Sequence, residues 1–207
     1  MTEGGGMIRV LLADDHLLIR EALVLLLETE DGIDVVADVG RGDDAVARAR
    51  ELRPDVAVLD IDMPGMDGLA AAERLSRDLP GCRLIVVTAH GRPGNLRRAM
   101  AAGVRGFLGK DTPGAQLARV IRQVAGGARH IDPQLAADAL AAEECPLTPR
   151  ELDALRAAAD GSPISRIARS LGLSEGTVRN YLSSTVIKLS ADNRHSAVRV
   201  ARDRGWI

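Results

Sequence analysis

Apolar and polar positions along the first 126 residues alternate between two periods. Short apolar runs (IRVLLA from Ile8, VAVL from Val56, RLIVV from Arg83, GFLG from Gly106) are separated by stretches whose apolar residues recur every three or four positions. Short buried runs between helical patterns read as parallel strands, and their short connections predict right-handed crossovers and a doubly wound α/β sheet. Strands are expected near 8–13, 34–39, 56–60, 83–88 and 105–109, and helices near 16–29, 43–52, 68–78, 93–102 and 113–126. In the first helix, LLIREALVLLLE, the residues Leu18, Ala22, Leu25 and Leu26 are expected to share the apolar face. Thr112-Pro113 marks the start of the last, a cap followed by proline at the first helical position.

After residue 126 the pattern changes. Residues 127–146, GARHIDPQLAADALAAEECP, read as a linker: a Gly-rich break, then an Ala-rich, helix-prone segment from Asp132-Pro133. Thr148-Pro149-Arg150-Glu151 is a capping box with proline in the first turn. Four helices are expected beyond it, near 149–160, 163–171, 174–189 and 194–204, with Gly161 and Gly172 at the first two breaks. The expected organisation is an α/β domain over 7–126, a linker over 127–146 and an all-α domain over 147–207.

Unusual chemistry gathers at the strand ends. Asp14 and Asp15 follow the first run, Asp60 closes the third, Thr88 the fourth, and Lys110 follows the fifth. Ligands of an open parallel sheet bind beyond the carboxyl ends of its strands, so these groups are expected to share one pocket. Three crowded carboxylates repel one another and call for a hard, oxygen-preferring cation such as Mg²⁺. An acid pair that merely caps a helix, or a solvated amine, would explain any one of these residues but not the whole set.

Composition sharpens two points. There are 25 arginines and two lysines, and Lys110 is the only lysine of the first 187 residues, which marks a place requiring a compact ammonium. The net charge of −2 hides a split, because residues 147–207 carry ten basic and six acidic side chains while 132–146 carry four acids and no bases. A basic C-terminal third fits nucleic-acid binding. No apolar run approaches the ~18–20 residues that span a bilayer. MTEGGGMIRV lacks the basic and apolar regions of a signal peptide, and a start at Met7 would leave MTEGGG as a dispensable leader. Cys82 and Cys145 stand far apart without metal-ligand spacing, as reduced thiols of a cytoplasmic protein would.

Five motifs occur in order: LLADDH, VLDIDMPGMDG, VVTAH, GFLGKD, and LTPRELDAL with IARSLGLSEGTVRNYL. Together they resemble the bacterial two-component response regulators of the NarL/FixJ (LuxR-type) family. Residues 7–126 are similar to its flavodoxin-like (CheY-like) receiver domain, and 147–207 to its four-helix LuxR-type helix-turn-helix domain. Tyr181, where many relatives carry His, is similar to the DesR-like branch. The resemblance implies strand order 2-1-3-4-5. It implies that Asp60 accepts a phosphoryl group from a sensor histidine kinase. Mg²⁺ would be held by the Asp15 and Asp60 carboxylates, by Asp14 mostly through water, and by the Asp62 backbone carbonyl. Lys110 and Thr88 would meet phosphoryl oxygens. Phe107 is implied as a switch residue that turns inward when Thr88 moves, and a Phe that is always core fits equally. Asp62 and His90, two residues past Asp60 and Thr88, tune phosphoryl lifetime in receivers. The sign here is open, and two exposed polar residues without kinetic role fit as well.

The segment SPISRIARSLGLSEGTVRNYLSSTVIKL reads as a helix-turn-helix with Ser174 as N-cap and its second helix in the major groove. The resemblance places base readout on Arg179, Asn180 and Ser183; Arg suits guanine and Asn suits adenine. Phosphate contacts fall on Ser174, Thr177, Lys188 and Arg194, and Val178 and Leu182 face the core. In the last helix Ala197, Val198, Val200 and Ala201 form either a dimer seam or a packing face within the bundle. The implied function is a transcription regulator that binds double-stranded promoter DNA as a homodimer when phosphorylated. A DNA binder independent of phosphorylation and a phosphoryl shuttle are the rival readings. The acidic pocket speaks against the first, and Arg179 with Asn180 against the second. No nucleophile–base pair points to metabolic catalysis.

Overall fold

The computed structural model describes residues 6–89, 91–141 and 145–207, so His90 lies outside the described residues. The chain divides into two compact units. One takes in the chain through Gly91 and again Leu96–Asp138; the other takes in Arg92–Asn95 and Ala139–Ile207.

The first unit is built on a parallel sheet of β1 (Ile8–Ala13), β2 (Ile33–Val39), β3 (Val56–Asp60), β4 (Arg83–Thr88), β5 (Gly106–Gly109) and β6 (His130–Ile131), in the order β2-β1-β3-β4-β5-β6. Its connections are α1 (Leu17–Glu28), α2 (Gly42–Leu52), α3 (Gly68–Asp78), α4 (Pro93–Ala101) and α5 (Gly114–Ala125); α6 (Pro133–Ala141) follows β6. Strand order reverses between β1 and β3, which puts the ligand-binding crevice at their carboxyl ends. Successive strand residues face opposite sides. Val10, Leu12, Val58, Ile85 and Leu108 pack with Leu27 of α1 and Leu117, Val120 and Ile121 of α5. The alternate residues Leu11, Leu59, Leu84, Val86 and Phe107 are equally buried. Burial on both sheet faces explains why the strands read as unbroken apolar runs.

Three features depart from the sequence expectation. The buried face of α1 is only partly the predicted one, since of Leu18, Ala22, Leu25 and Leu26 only Leu26 packs on the core. Leu27 is fully buried and Leu23, Val24 and Leu26 pack on the core, while Leu18 and Leu25 are 81% and 66% exposed. LLIREALVLLLE offers apolar residues on nearly every side, so periodicity cannot single out a face; packing against β2 and α5 does. The second departure is β6, inside the stretch expected as linker. Gly127 (φ 91) turns the chain, and His130 N and Asp132 N then donate to Arg105 O and Phe107 O, each at 2.9 Å. These bonds satisfy the outer edge of β5. A two-residue strand is too short to show a period. Helix α6 starts at Pro133, as the Asp132-Pro133 signal predicts. The third departure is α5, which starts at Gly114 with the extended Pro113 as its N-cap.

The second unit is a helical bundle of α7 (Pro149–Ala157), α8 (Ile164–Leu171), α9 (Glu175–Lys188) and α10 (Arg194–Asp203) around Leu155, Ile167, Val178, Leu182, Val198 and Trp206. The capping box on α7 is complete: Glu151 N donates to Thr148 Oγ1 at 3.4 Å and Thr148 N to Glu151 Oε2 at 2.7 Å. Ala197, Val198 and Ala201 are buried in this core, leaving Val200 half-buried. Among the described residues no helix is long and apolar enough to cross a membrane.

Candidate functional site

The pocket follows from sheet register. Strands β1 and β3 end side by side, Ala13 opposite Leu59, so Asp14 and Asp60 emerge from adjacent strand ends. Strands β4 and β5 end with Thr88 opposite Gly109, which delivers Lys110 next. Lys110 Nζ lies 2.8 Å from Asp14 Oδ2 and 2.9 Å from Asp60 Oδ2. Its backbone N–H donates to the Thr88 carbonyl at 2.8 Å, and Thr88 is buried. Ligand-capable atoms of Asp14, Asp15, His16 and Asp60 all lie within 4.8 Å of one another. Asp62 is exposed, and its carboxylate is not among them. Phe107 is fully buried, paired with Val86 on one side and Ile131 on the other.

Charge in this pocket is unbalanced. Burial pushes the Asp60 carboxyl above its usual range; the hydrogen bond and charge of Lys110 pull it down, and the charges of Asp14 and Asp15 push it up again. Burial acts to lower the Lys110 pKa, but hydrogen bonds and charge from Asp14 and Asp60 outweigh it and hold the ammonium above its ordinary value. One ammonium cannot neutralise three carboxylates. Asp60 Oδ1 is buried and has no hydrogen-bond partner, an unmet acceptor that costs ~1–3 kcal/mol unless something else satisfies it. Hard oxygen donors, residual negative charge and an orphaned carboxylate oxygen fit a divalent cation.

Glycine keeps the neighbouring loop tight. Gly65 adopts φ 78, and a Cβ on Gly68 would lie 1.8 Å from the Asp60 carbonyl oxygen. Only glycine therefore lets α3 begin against the end of β3. Asp67 caps that helix, accepting from Ala70 N at 2.7 Å.

In the second unit α8 ends at Gly172 (φ 64) and α9 begins after Ser174, whose Oγ accepts from Thr177 N at 3.1 Å. Val178, Leu182 and Thr185 are buried, so Arg179, Asn180 and Ser183 face outward along the exposed side of α9. Arg179 Nη2 is held 2.9 Å from Glu175 Oε2. Two expected phosphate contacts are engaged within the unit. Lys188 Nζ donates to Glu151 Oε2 at 2.8 Å, because a nearly buried carboxylate requires a cation. Arg194 donates to the Ser162 and Gly161 carbonyls at 3.3 Å each, tying down the turn before α8.

Residues 10–122 match the family described as response regulator receiver domain, and residues 145–201 match bacterial regulatory proteins, luxR family. The chain belongs to the LuxR-type response regulators. This regulator is 42% identical over 200 residues to transcriptional regulatory protein DesR of Bacillus subtilis (strain 168), covering 97% of this chain and 99% of that one. It is 40% identical over 202 residues to response regulator RamR of Streptomyces coelicolor, with 98% and 99% covered. Among solved structures it is similar to response regulator ChrA of a heme-sensing two-component system, at 31% identity and TM-score 0.58, covering 98% of this chain and 100% of that one. It is thus a transcription regulator of a two-component system, with an α/β receiver and a LuxR-type DNA-binding domain.

Two residues of the regulator escaped sequence reasoning. His16 was visible only as the neighbour of the acid pair in LLADDH; its Nδ1 lies 2.6 Å from Asp15 Oδ1 and 3.5 Å from Asp14 Oδ1. Glu151 was visible as a helix cap, yet it also accepts from Ser184 and Lys188 and so binds α7 to α9.

Proposed function

We propose that the regulator accepts a phosphoryl group on Asp60 from a sensor histidine kinase in a Mg²⁺-dependent reaction in the cytoplasm, and that this promotes dimerisation and sequence-specific promoter binding. The observation that carries this reading is the buried Asp60 carboxylate, with Lys110 Nζ 2.9 Å from one oxygen and no partner on the other. Asp14, Asp15 and Asp60, with the Asp62 carbonyl, would hold the Mg²⁺. When bound, the ion supplies neutralising charge to the transferring group. In-line transfer otherwise needs mainly positioning. An Asp60 oxygen forms the O–P bond as the P–N bond to the donor histidine breaks, and the electron pair leaves with the imidazole. Lys110 then meets one phosphoryl oxygen and the Thr88 hydroxyl another, as charge-assisted hydrogen bonds. Movement of Thr88 would be coupled to Phe107, a local charge event biasing a two-state element.

The receiver would span 7–126, the stretch 127–146 would add β6 to its sheet before continuing as the linker, and the DNA-binding domain would span 147–207. Arg179, Asn180 and Ser183 would read bases, with Ser174 and Thr177 on phosphates. Lys188 and Arg194 would join them through the N–H donors that their internal hydrogen bonds leave over. Asp62 and His90 would set the phosphoryl lifetime. The test is intact mass after incubation with acetyl phosphate and Mg²⁺. A single phosphoryl adduct is expected in the wild type and none in Asp60→Ala; an adduct of equal yield in the variant would assign the acceptor elsewhere.

A further inference from the structure

We propose that Gly176 is a specificity-determining residue of the DNA-binding domain: its missing side chain lets α9 seat its backbone against base edges in the major groove. This rests on the base readout proposed for Arg179 and Asn180, and adds the close approach that such readout requires.

Glycine is a poor helix residue, yet Gly176 is the second residue of α9, and it is exposed. The backbone does not demand it. Its φ lies outside the positive range, unlike that of Gly172 (φ 64), which ends α8 in the left-handed region. Crowding does not demand it either. A Cβ on Gly42, Gly68 or Gly114, three other glycines within helices, would lie 2.1, 1.8 or 2.1 Å from Met66 O, Asp60 O or Leu26 Cδ1. For Gly176 the nearest atom beyond its neighbours and the helix backbone, among the described residues, is Ser174 Oγ at an ordinary 3.8 Å. The helix is also capped without it, since Ser174 Oγ accepts from Thr177 N at 3.1 Å. The glycine then answers to something that α9 meets.

Its place on the helix says what that is. Val178, Leu182 and Thr185 bury one side of α9. Gly176, Asn180 and Ser183 follow one another at helical spacing on the other side, and all three are exposed. In a helix-turn-helix the N-terminal residues of the second helix meet base edges, so Gly176 stands one turn ahead of Asn180 on the stripe that reads. Glycine is the residue that lets a backbone come close to a ligand. A Cβ stands ~1.5 Å off its Cα, whereas a hydrogen bond at ~2.9 Å is lost beyond ~3.5 Å. One methyl pressed on a base pair would thus hold Arg179 and Asn180 out of range. Phosphate contacts, which carry non-specific binding, need no such depth.

The experiment uses the full chain, incubated throughout with acetyl phosphate and Mg²⁺, and two duplex probes. One is the sequence that the wild type selects from a randomised library; the other is a scrambled sequence of equal length. Dissociation constants come from fluorescence anisotropy at one fixed salt concentration. In Gly176→Ala the thermal midpoint, followed through the buried Trp206, should hold or rise, because alanine suits a helix better. Affinity for the selected duplex should nevertheless fall by about tenfold or more, and for the scrambled duplex by less than about twofold. Gly176→Leu should lose more of the selected affinity than Gly176→Ala. A lower thermal midpoint in the alanine variant would show that the fold itself needs the glycine, and would overturn the proposal. Binding of the selected duplex within about twofold of the wild type, or equal losses on both duplexes, would overturn it too. Arg179→Ala and Asn180→Ala judge the readout separately. Unchanged base preference in both would strike the bases assigned to them, while a loss confined to the selected duplex in Gly176→Ala would still support close approach.

Discussion

Lys110 bridges Asp14 and Asp60 at 2.8 and 2.9 Å, and its place was legible from scarcity: a chain with 25 arginines and two lysines keeps an ammonium here. A compact ammonium with three rotatable donors serves both carboxylates from one nitrogen, whereas a guanidinium presents a fixed planar fork. The acidic residues were legible as well, since each follows a strand. His16 was not, because adjacency in sequence does not say which way a side chain turns. Helix α1 shows the same limit for apolar residues. Leu27→Ala should cost ~2–5 kcal/mol, as buried leucine truncations do, and Leu25→Ala should stay within about 0.5 kcal/mol, because Leu25 is 66% exposed. Denaturant unfolding followed by circular dichroism checks this pair; equal losses would mean that α1 buries the face containing Leu25 after all.

Elements were most legible where burial is two-sided or a cap is explicit. The runs ending at Ala13, Asp60 and Thr88 are strands, and the Thr148–Glu151 box starts a helix. Strand β6 was hidden by its length, and its existence depends on the open edge of β5. The contact that joins α7 to α9 was hidden too, because Glu151 and Lys188 stand 37 residues apart. Burial works to raise the Glu151 pKa, yet hydrogen bonds from Lys188, Ser184 and Thr148 outweigh it and lower it from 4.5 to about 2. A depressed carboxyl stabilises the fold above its unfolded pKa and loses that contribution as pH falls through the folded value. The second unit should therefore weaken as pH drops from about 4.5 toward 2. Trp206, the only tryptophan, is buried in that core and reports the transition. Glu151→Gln should lose about 1.5–3 kcal/mol at neutral pH and flatten the acid decline. An identical decline in the variant would assign it to other carboxyls.

At the scale of the whole molecule, the acidic pocket lies in one unit and the helix-turn-helix with Arg179 and Asn180 in the other, each built on its own core. With acetyl phosphate and Mg²⁺ the wild type is expected to sediment as a dimer and to gain promoter affinity, and Asp60→Ala to do neither. Equal affinity with and without the phosphodonor in the wild type would remove the coupling. The sequence by itself determined the order of the first five strands and the helices, the catalogue of polar groups at strand ends, the helix-turn-helix and the charge split between the first two thirds and the last third. Those properties depend on local period and spacing. Only the tertiary structure decided which face of α1 is buried, that a sixth strand covers β5, that His16 lies against the carboxylates and that Lys188 and Arg194 bond to partners within their own unit. Burial and ion pairing depend on neighbours in space, and in this fold decisive partners such as Asp60 and Lys110 lie 50 residues apart.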